Sequence, residues 1–162
     1  MGEVPKRQIR SDEPPRGMMV RPLLSAHLES VVAIAKESFP LVWAPKEFLY
    51  FLEHPCQLNV GLFSPTNGEL GAYFLGLLVK GELDIISIAT KASHRRQGFA
   101  EQLLRAVIQI QSVERAFLEV NANNTSAISL YQKCGFQIQG IRKKYYEQRD
   151  DALLMRWVRS KP

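Results

Sequence analysis

The sequence lacks the features of membrane proteins and of disulfide-rich proteins. No uninterrupted apolar run approaches the roughly 20 residues that a transmembrane helix requires, and the polar N-terminus has no apolar signal-peptide core. The two cysteines, Cys56 and Cys134, are far apart and form no CxxC pair, so we expect reduced thiols. We therefore predict a cytoplasmic protein with one folded domain, since a chain of 162 residues can bury a core of its own.

Residues 1–17 show no hydrophobic periodicity. They combine several charges with Pro5, Pro14 and Pro15, which is typical of a flexible tail. The predicted organisation is therefore a flexible N-terminal tail over residues 1–17 and a folded domain over residues 18–162.

The chain also lacks the charge pattern of a nucleic-acid-binding surface. The formal charge is +5, and the basic residues cluster at 6–10, at Arg95-Arg96 and at 142–144. These clusters are short, and aromatic residues do not alternate with them as on a base-stacking surface. We expect neither direct nucleic-acid binding nor membrane binding.

Hydrophobic periodicity predicts about seven strands and about four helices. Leu70–Val79 and Glu82–Thr90 are separated only by Lys80-Gly81, which favours an antiparallel pair. A helix from Ala100 to Gln111 then leads to a strand at Ala116–Asn121, and such a strand–helix–strand step is a parallel crossover. The other predicted elements are strands Met18–Pro22, Gln57–Phe63, Phe136–Arg142 and Ala152–Val158, and helices Ser25–Ser38 (capped by Ser25), Pro45–Glu53 and Thr125–Cys134. The fold class is therefore α+β, with a mixed, mostly antiparallel sheet.

The turn Arg95-Arg96-Gln97-Gly98-Phe99-Ala100 lies between a predicted strand and a predicted helix. The N–H groups at a helix N-terminus are free and the helix dipole favours an anion there, so this turn is a candidate phosphate site. Two arginines add mobile positive charge. The turn has neither the GxGxxG of a dinucleotide site nor the GK[ST] of an NTPase loop. The alternative is a simple helix-capping turn with exposed arginines.

Together with other segments, this turn resembles the GNAT superfamily of acyl-CoA-dependent N-acetyltransferases. The turn is similar to that family's Q/R-x-x-G-x-G/A pyrophosphate loop, with Ala100 where glycine is common. The resemblance covers residues 18–158 and is closer still to the RimI-type ribosomal-protein alanine acetyltransferases. It is carried by Ser87–Thr90, Leu118-Glu119-Val120, Asn124, Ala127–Tyr131, Gly135-Phe136, Tyr145-Tyr146 and Asp151–Met155. Residues 41–44 look longer than in the bacterial enzyme and residues 146–152 look shorter, and both segments border the acceptor groove in relatives.

The resemblance implies an acetyl-CoA co-substrate and no metal. It places the pantetheine arm against the backbone of Ile88, Ala89 and Thr90. It places the pyrophosphate at the turn, formed by Arg95, Arg96, Gln97, Gly98, Phe99, Ala100 and Glu101. Asn124 would bind the pantetheine arm, or it only caps a helix. The implied acceptor is the N-terminal α-amino group of a protein or peptide, with a ribosomal protein as one candidate.

Two residues are candidate catalytic groups. Strand alternation places Glu119 on the face opposite Leu118 and Val120, and the pattern alone favours a solvated or salt-bridged carboxylate. The resemblance makes Glu119 the general base. Tyr131 lies on the apolar face of its helix and by pattern is a core residue, whereas the resemblance makes it the general acid. We expect direct transfer from the thioester to the amine, without an acetyl-Cys134 intermediate.

Two other functions remain open at this point. The same scaffold can acetylate a small amine or a lysine side chain, and it can serve as a non-catalytic acetyl-CoA-binding module. The presence of both Glu119 and Tyr131 argues against the second alternative.

Overall fold

The computed structural model describes residues 17–146 and 149–162. The predicted flexible tail, except for Gly17, lies outside the described residues. The described chain forms one seven-stranded sheet in the order β1-β2-β3-β4-β5-β7-β6, with four helices. The elements are β1 (Met19–Pro22), α1 (Leu28–Ser38), α2 (Pro45–Glu53), β2 (Val60–Phe63), β3 (Leu70–Val79), β4 (Glu82–Thr90), α3 (Phe99–Ile108), β5 (Arg115–Asn121), α4 (Thr125–Lys133), β6 (Gln137–Tyr146) and β7 (Asp150–Val158).

The sheet has one parallel pair, β4 with β5, and all other neighbouring strands are antiparallel. The α3 crossover joins the parallel pair. This topology confirms the predicted mixed α+β sheet and its single parallel step. The tight β3–β4 turn is also confirmed: Lys80 and Gly81 both have positive φ, 48° and 82°, which suits a two-residue hairpin between right-twisted strands.

Two local predictions were wrong. Ser25 does not cap α1, because it begins a short 3-10 helix, and the N–H of Leu24 at its start donates to Nδ1 of His27 at 2.9 Å. The strand predicted from Gln57 begins only at Val60. The buried Asn59 side chain interrupts it by accepting from the N–H of Gly76 and donating to the carbonyl of Phe51.

Each face of the sheet has its own hydrophobic core. On one face, α3 and α4 pack against β3, β4, β5 and β7, with a core that includes Phe74, Leu103, Val107, Leu118 and Met155. On the other face, α1 and α2 pack against β3 and β4, with a core that includes Val31, Ala35, Phe48, Tyr73 and Leu75. On β5 this second face presents Phe117, Glu119 and Asn121, which are partly or fully exposed, whereas Ala116, Leu118 and Val120 are buried. The predicted alternation along β5 is therefore confirmed.

No helix in residues 17–146 and 149–162 is both long enough and apolar enough to span a membrane. The described cysteines are free thiols, with Cys134 buried and Cys56 partly buried.

Candidate active site

The candidate active site is a cleft between β4 and β5. Within the described strands, the two are hydrogen-bonded only at their start, where Glu82–Asp84 pair with Arg115–Phe117. Beyond this point β4 keeps β3 on its other edge and β5 keeps β7. The edge of β4 over Ile85–Thr90 therefore faces the cleft with backbone N–H and C=O groups that β5 does not bond. An extended amide chain can bind to such an edge as an additional strand.

A β-bulge lies where the two strands separate. The register between β3 and β4 shifts by one residue, so that Ile86 has no partner in β3. A bulge bends its strand and increases the local twist. The cleft thus widens towards Ile88–Thr90, the segment that the resemblance places against the pantetheine arm.

The loop after β4 leads to the N-terminus of α3 at the open end of the cleft. Gly98 is the N-cap residue with φ of 79°, a left-handed conformation that glycine adopts without the steric cost of a Cβ. The first intrahelical bond of α3 runs from the N–H of Gln102 to the carbonyl of Gly98 at 3.1 Å. The N–H groups of Phe99, Ala100 and Glu101 therefore precede the helical ladder and point out of the helix end, where an anion is favoured.

The two arginines of this loop differ in their surroundings. The Nη2 of Arg95 donates to the carbonyl of Glu37 at 2.7 Å, at the C-terminal end of α1. Its guanidinium thus holds α1 against the loop, and the expected mobile charge at this position is tethered. Arg96 is exposed and has φ of 62°. The backbone N–H of Arg95 also donates to the carbonyl of Ala92, at 3.4 Å. The exposed side chain of Arg96 is therefore better placed than Arg95 to contribute to a phosphate site.

Glu119 lies on the open face of β5 and forms an ion pair. Its Oε1 is 3.3 Å from Nη1 of Arg142 on β6, and 31% of the Glu119 side chain is exposed. The two strands are not neighbours, because β7 lies between them. The sequence analysis did not identify Arg142 as a partner of Glu119. The only signal in the sequence was the basic cluster at 142–144, and its position relative to β5 depends on the strand order.

Tyr131 lies on α4, and only 8% of it is exposed. Burial, together with the smaller effects of the neighbouring Tyr146 and Cys134, raises the pKa of its hydroxyl to about 12. The pKa of Tyr146 is also raised, first by burial and then by the negative charge of Glu119. Tyr146 therefore interacts electrostatically with both predicted catalytic residues.

Asn124 is the N-cap of α4. Its Oδ1 accepts a hydrogen bond from the N–H of Ala127 at 3.2 Å, so the capping role is part of the fold. Its Nδ2 has no hydrogen-bond partner among the residues that the structure describes. Capping and binding of a pantetheine carbonyl are therefore compatible, because they use different atoms of one amide.

Two substitutions separate these roles of Asn124. Asn124→Asp keeps an oxygen for the cap but removes the Nδ2 donor, so we expect an unchanged melting temperature and a KM for acetyl-CoA raised about fivefold. Asn124→Ala removes both groups and should also lower the free energy of unfolding by about 1 kcal/mol. Asn123→Asp, which adds the same charge one residue away, is the control. An Asn124→Asp enzyme with unchanged KM would show that Asn124 serves only as a cap.

No group of three or more His, Cys, Asp or Glu side chains within residues 17–146 and 149–162 is placed to hold a metal ion.

Comparisons with known proteins identify relatives of this architecture. The model of the acetyltransferase (GNAT) family matches residues 28–136. A putative [ribosomal protein bS18]-alanine N-acetyltransferase of Bacillus subtilis is 32% identical over 143 residues, which are 86% of this chain and 93% of that protein. The crystal structure of the ribosomal-protein-S18-alanine N-acetyltransferase from Escherichia coli superposes with a TM-score of 0.82 at 28% identity, and the match covers 90% of this chain and 96% of that one. The Arabidopsis thaliana NAA60 structure in complex with acetyl-CoA has a TM-score of 0.77 at 19% identity, covers 87% and 98% of the two chains, and shares the fold.

Proposed function

Because the chain belongs to the acetyltransferase (GNAT) family, we propose that it transfers the acetyl group of acetyl-CoA to the N-terminal α-amino group of a protein or peptide. Membership of this family confirms the expected class of activity, N-acetyl transfer with acetyl-CoA as the co-substrate. The observation that carries the proposal is the cleft between β4 and β5, with a carboxylate on one wall and a helix N-terminus at its open end.

Acetyl-CoA fits this cleft through backbone groups. The N–H groups at the start of α3, from Phe99 to Glu101, with Arg96, Gln97 and Gly98 before them, would hold the pyrophosphate. The edge of β4 over Ile88–Thr90 would pair with the amides of the pantetheine arm. The Nδ2 of Asn124 faces no competing acceptor among the described residues and is the proposed donor to that arm.

The chemistry proposed is direct transfer in a ternary complex. The acceptor amine attacks the thioester carbonyl carbon, the new C–N bond forms, and the C–S bond breaks when the tetrahedral intermediate collapses. Glu119 takes the proton that leaves the amine, directly or through one water. Tyr131, as the proposed general acid, donates a hydrogen bond from its O–H to the departing sulfur, and CoA takes up a proton as it leaves as the thiol. An α-amino group has a pKa of about 7.7–8.0, against about 10.4 for lysine, so its deprotonation is the easier task for a carboxylate.

The relatives support a peptide acceptor. The proteins from Bacillus subtilis and Escherichia coli are named for the alanine of ribosomal protein S18. We propose the N-terminus of a ribosomal protein as the first acceptor to test, and the cytoplasm as the compartment where transfer takes place.

The test uses the purified chain, acetyl-CoA and three kinds of acceptor, with mass spectrometry to locate the acetyl group. The acceptors are peptides with a free N-terminus, including the N-terminal peptide of bS18, the same peptides blocked at the N-terminus but containing lysine, and small amines such as spermidine. Acetylation at the α-amino group supports the proposal. Acetylation confined to lysine or to small amines would overturn it, and binding of acetyl-CoA without any transfer would indicate a non-catalytic module.

A further inference from the structure

The β6–β7 hairpin carries a basic segment, Arg142-Lys143-Lys144, which the chemistry proposed above does not use. All three residues are exposed. The register between β6 and β7 shifts between Arg142 and Tyr146, and Lys144 has a left-handed φ of 52°. Such an irregularity re-aims the side chains of the bulged strand. The segment borders the face of β5 on which Glu119 lies.

Two acidic residues of this hairpin, Asp150 and Asp151, accept hydrogen bonds from groups other than the basic side chains. Oδ1 of Asp151 accepts from the backbone N–H of Lys144 at 2.9 Å, and Oδ2 of Asp150 accepts from Nδ2 of Asn121 at 3.0 Å. Within residues 17–146 and 149–162, the one ion pair formed by a side chain of the basic segment is that between Arg142 and Glu119. The cation nearest to the proposed general base thus comes from this segment.

The pairing creates a competition when an acceptor binds. The α-ammonium group of the acceptor must reach the Glu119 carboxylate to lose its proton, and Arg142 already lies 3.3 Å from that carboxylate. A peptide without acidic side chains therefore brings a second cation to a carboxylate that already pairs with Arg142, and the two cations compete for it. A peptide with an acidic side chain brings a partner for Arg142, and the local charges then balance.

Arg142 has room to change partners. Its side chain is 55% exposed, and its guanidinium carbon already lies 5.5 Å from the centre of the Tyr145 ring, a cation–π contact on the solvent side of the hairpin. In an extended peptide the second and third residues lie about 3.3–6.6 Å beyond the first. That distance is within the reach of an arginine side chain pivoting at Arg142.

We propose that the basic segment selects acceptors with Asp or Glu at the second or third position, and that Arg142 binds that carboxylate when the α-ammonium group takes its place at Glu119. This inference rests on the proposed function, because it concerns the acceptor of that same site. It makes Arg142 a specificity-determining residue, distinct from the catalytic groups.

The experiment measures kcat/KM for matched peptides at saturating acetyl-CoA. The peptides differ only at the second or third residue, which is Glu, Ala or Lys. We expect the Glu peptide to exceed the Ala peptide about fivefold, with the Lys peptide lowest, as for a partly exposed charge pair. Raising the ionic strength from 0.05 to about 0.5 M should reduce the difference, because salt screens such pairs. In Arg142→Gln the Glu and Ala peptides should become equal.

Lys161→Gln is the matched control, since it removes an exposed cation beyond the far end of β7, roughly 25 Å from the hairpin tip. This variant should keep the full preference for Glu. Equal rates for all peptides in the unmodified enzyme would overturn the inference and leave the proposed function intact. A preference that survives in Arg142→Gln would overturn it too. Failure to acetylate any peptide would overturn the proposed function itself, and the inference with it.

Discussion

Glu119→Gln should lower kcat/KM for a peptide acceptor by about 10²–10⁴-fold, the usual contribution of a general base. Glutamine has nearly the same shape and keeps a carbonyl oxygen towards the cleft, but it cannot take the proton of the α-ammonium group. The KM for acetyl-CoA should stay the same, because the groups that we assign to the cofactor lie on β4, α3 and α4. Steady-state kinetics between pH 7 and 9.5, with calorimetric titration of acetyl-CoA, test this expectation.

Loss of the ion pair with Arg142 needs its own control, because Glu119→Gln removes a charge as well as a base. Glu82→Gln supplies it: the Oε1 of Glu82 lies 3.3 Å from Nη2 of Arg115, at the closed end of the same two strands. It breaks an ion pair of the same length outside the cleft. Its kcat/KM should stay within twofold of the unmodified enzyme. If Glu119→Gln is no slower than Glu82→Gln, Glu119 is not the base.

The loss of kcat/KM in Glu119→Gln, relative to the unmodified enzyme, should become smaller as the pH rises. Above the pKa of an α-amino group, about 7.7–8.0, most acceptor is already neutral and less depends on a base to create the nucleophile. The ratio of kcat/KM for the unmodified enzyme to that for Glu119→Gln should therefore be smaller at pH 9.5 than at pH 7. A ratio independent of pH would indicate that Glu119 acts by positioning the acceptor.

The sequence predicted those parts of the fold that depend on local signals. The bounds of β3 and β4 match the expected segments, because Lys80-Gly81 can only form a tight turn between two strongly apolar runs. The cap at Asn124 and the end of the following helix near Gly135 were also readable from residue types. The prediction for Ser25 was wrong, although a serine before an apolar periodic segment is a common cap. Here Nδ1 of His27 accepts the hydrogen bond from the N–H of Leu24 instead.

Prediction of the candidate site depended more on contacts between segments that are distant in sequence. Strand alternation alone predicted that Glu119 lies on the open face of β5. Its partner Arg142 is distant in sequence and reaches it across β7. Nothing in a local pattern specifies that β7 inserts between β5 and β6. The tether of Arg95 to the end of α1 is likewise a contact between distant segments. Such contacts follow from the strand order, which hydrophobic periodicity does not specify.

Tyr131→Phe should lower kcat by about 10²-fold and leave the KM for acetyl-CoA unchanged. The ring stays in place, 5.9 Å from the ring of Phe136, so the helix packing is retained and only the hydroxyl is lost. Because burial raises the pKa of Tyr131 to about 12, the phenol keeps its proton throughout the pH range of the assay. A free thiol has a pKa of about 8.5, so complete proton transfer to the sulfur is uphill. Hydrogen-bond donation to the developing thiolate is then the larger part of the effect.

The pH dependence of Tyr131 has a definite sign. In the folded protein burial raises the pKa of its hydroxyl to about 12, against 10.0 for an unperturbed tyrosine. The unmodified enzyme should therefore show no alkaline loss of kcat from this group between pH 8 and 10. Above pH 10 the unfolded chain releases this proton more readily than the folded one, so the free energy of unfolding falls as the pH rises. A decline of kcat with an apparent pKa near 9 that disappears in Tyr131→Phe would contradict the raised pKa of Tyr131.

A change of leaving group separates chemistry from packing. When the donor is an acetyl thioester of an aromatic thiol, the leaving group is a more stable thiolate than that of CoA. Its departure needs less help from an acid. The deficit of Tyr131→Phe relative to the unmodified enzyme should therefore nearly disappear with this donor, whereas that of Glu119→Gln should persist. Tyr73→Phe is the control for loss of a buried hydroxyl, because burial also raises the pKa of Tyr73 to about 12 and its hydroxyl bonds to Oγ of Ser87. That variant should lose about 1 kcal/mol of stability. An equal deficit of Tyr131→Phe with both donors would mean that Tyr131 only supports the core.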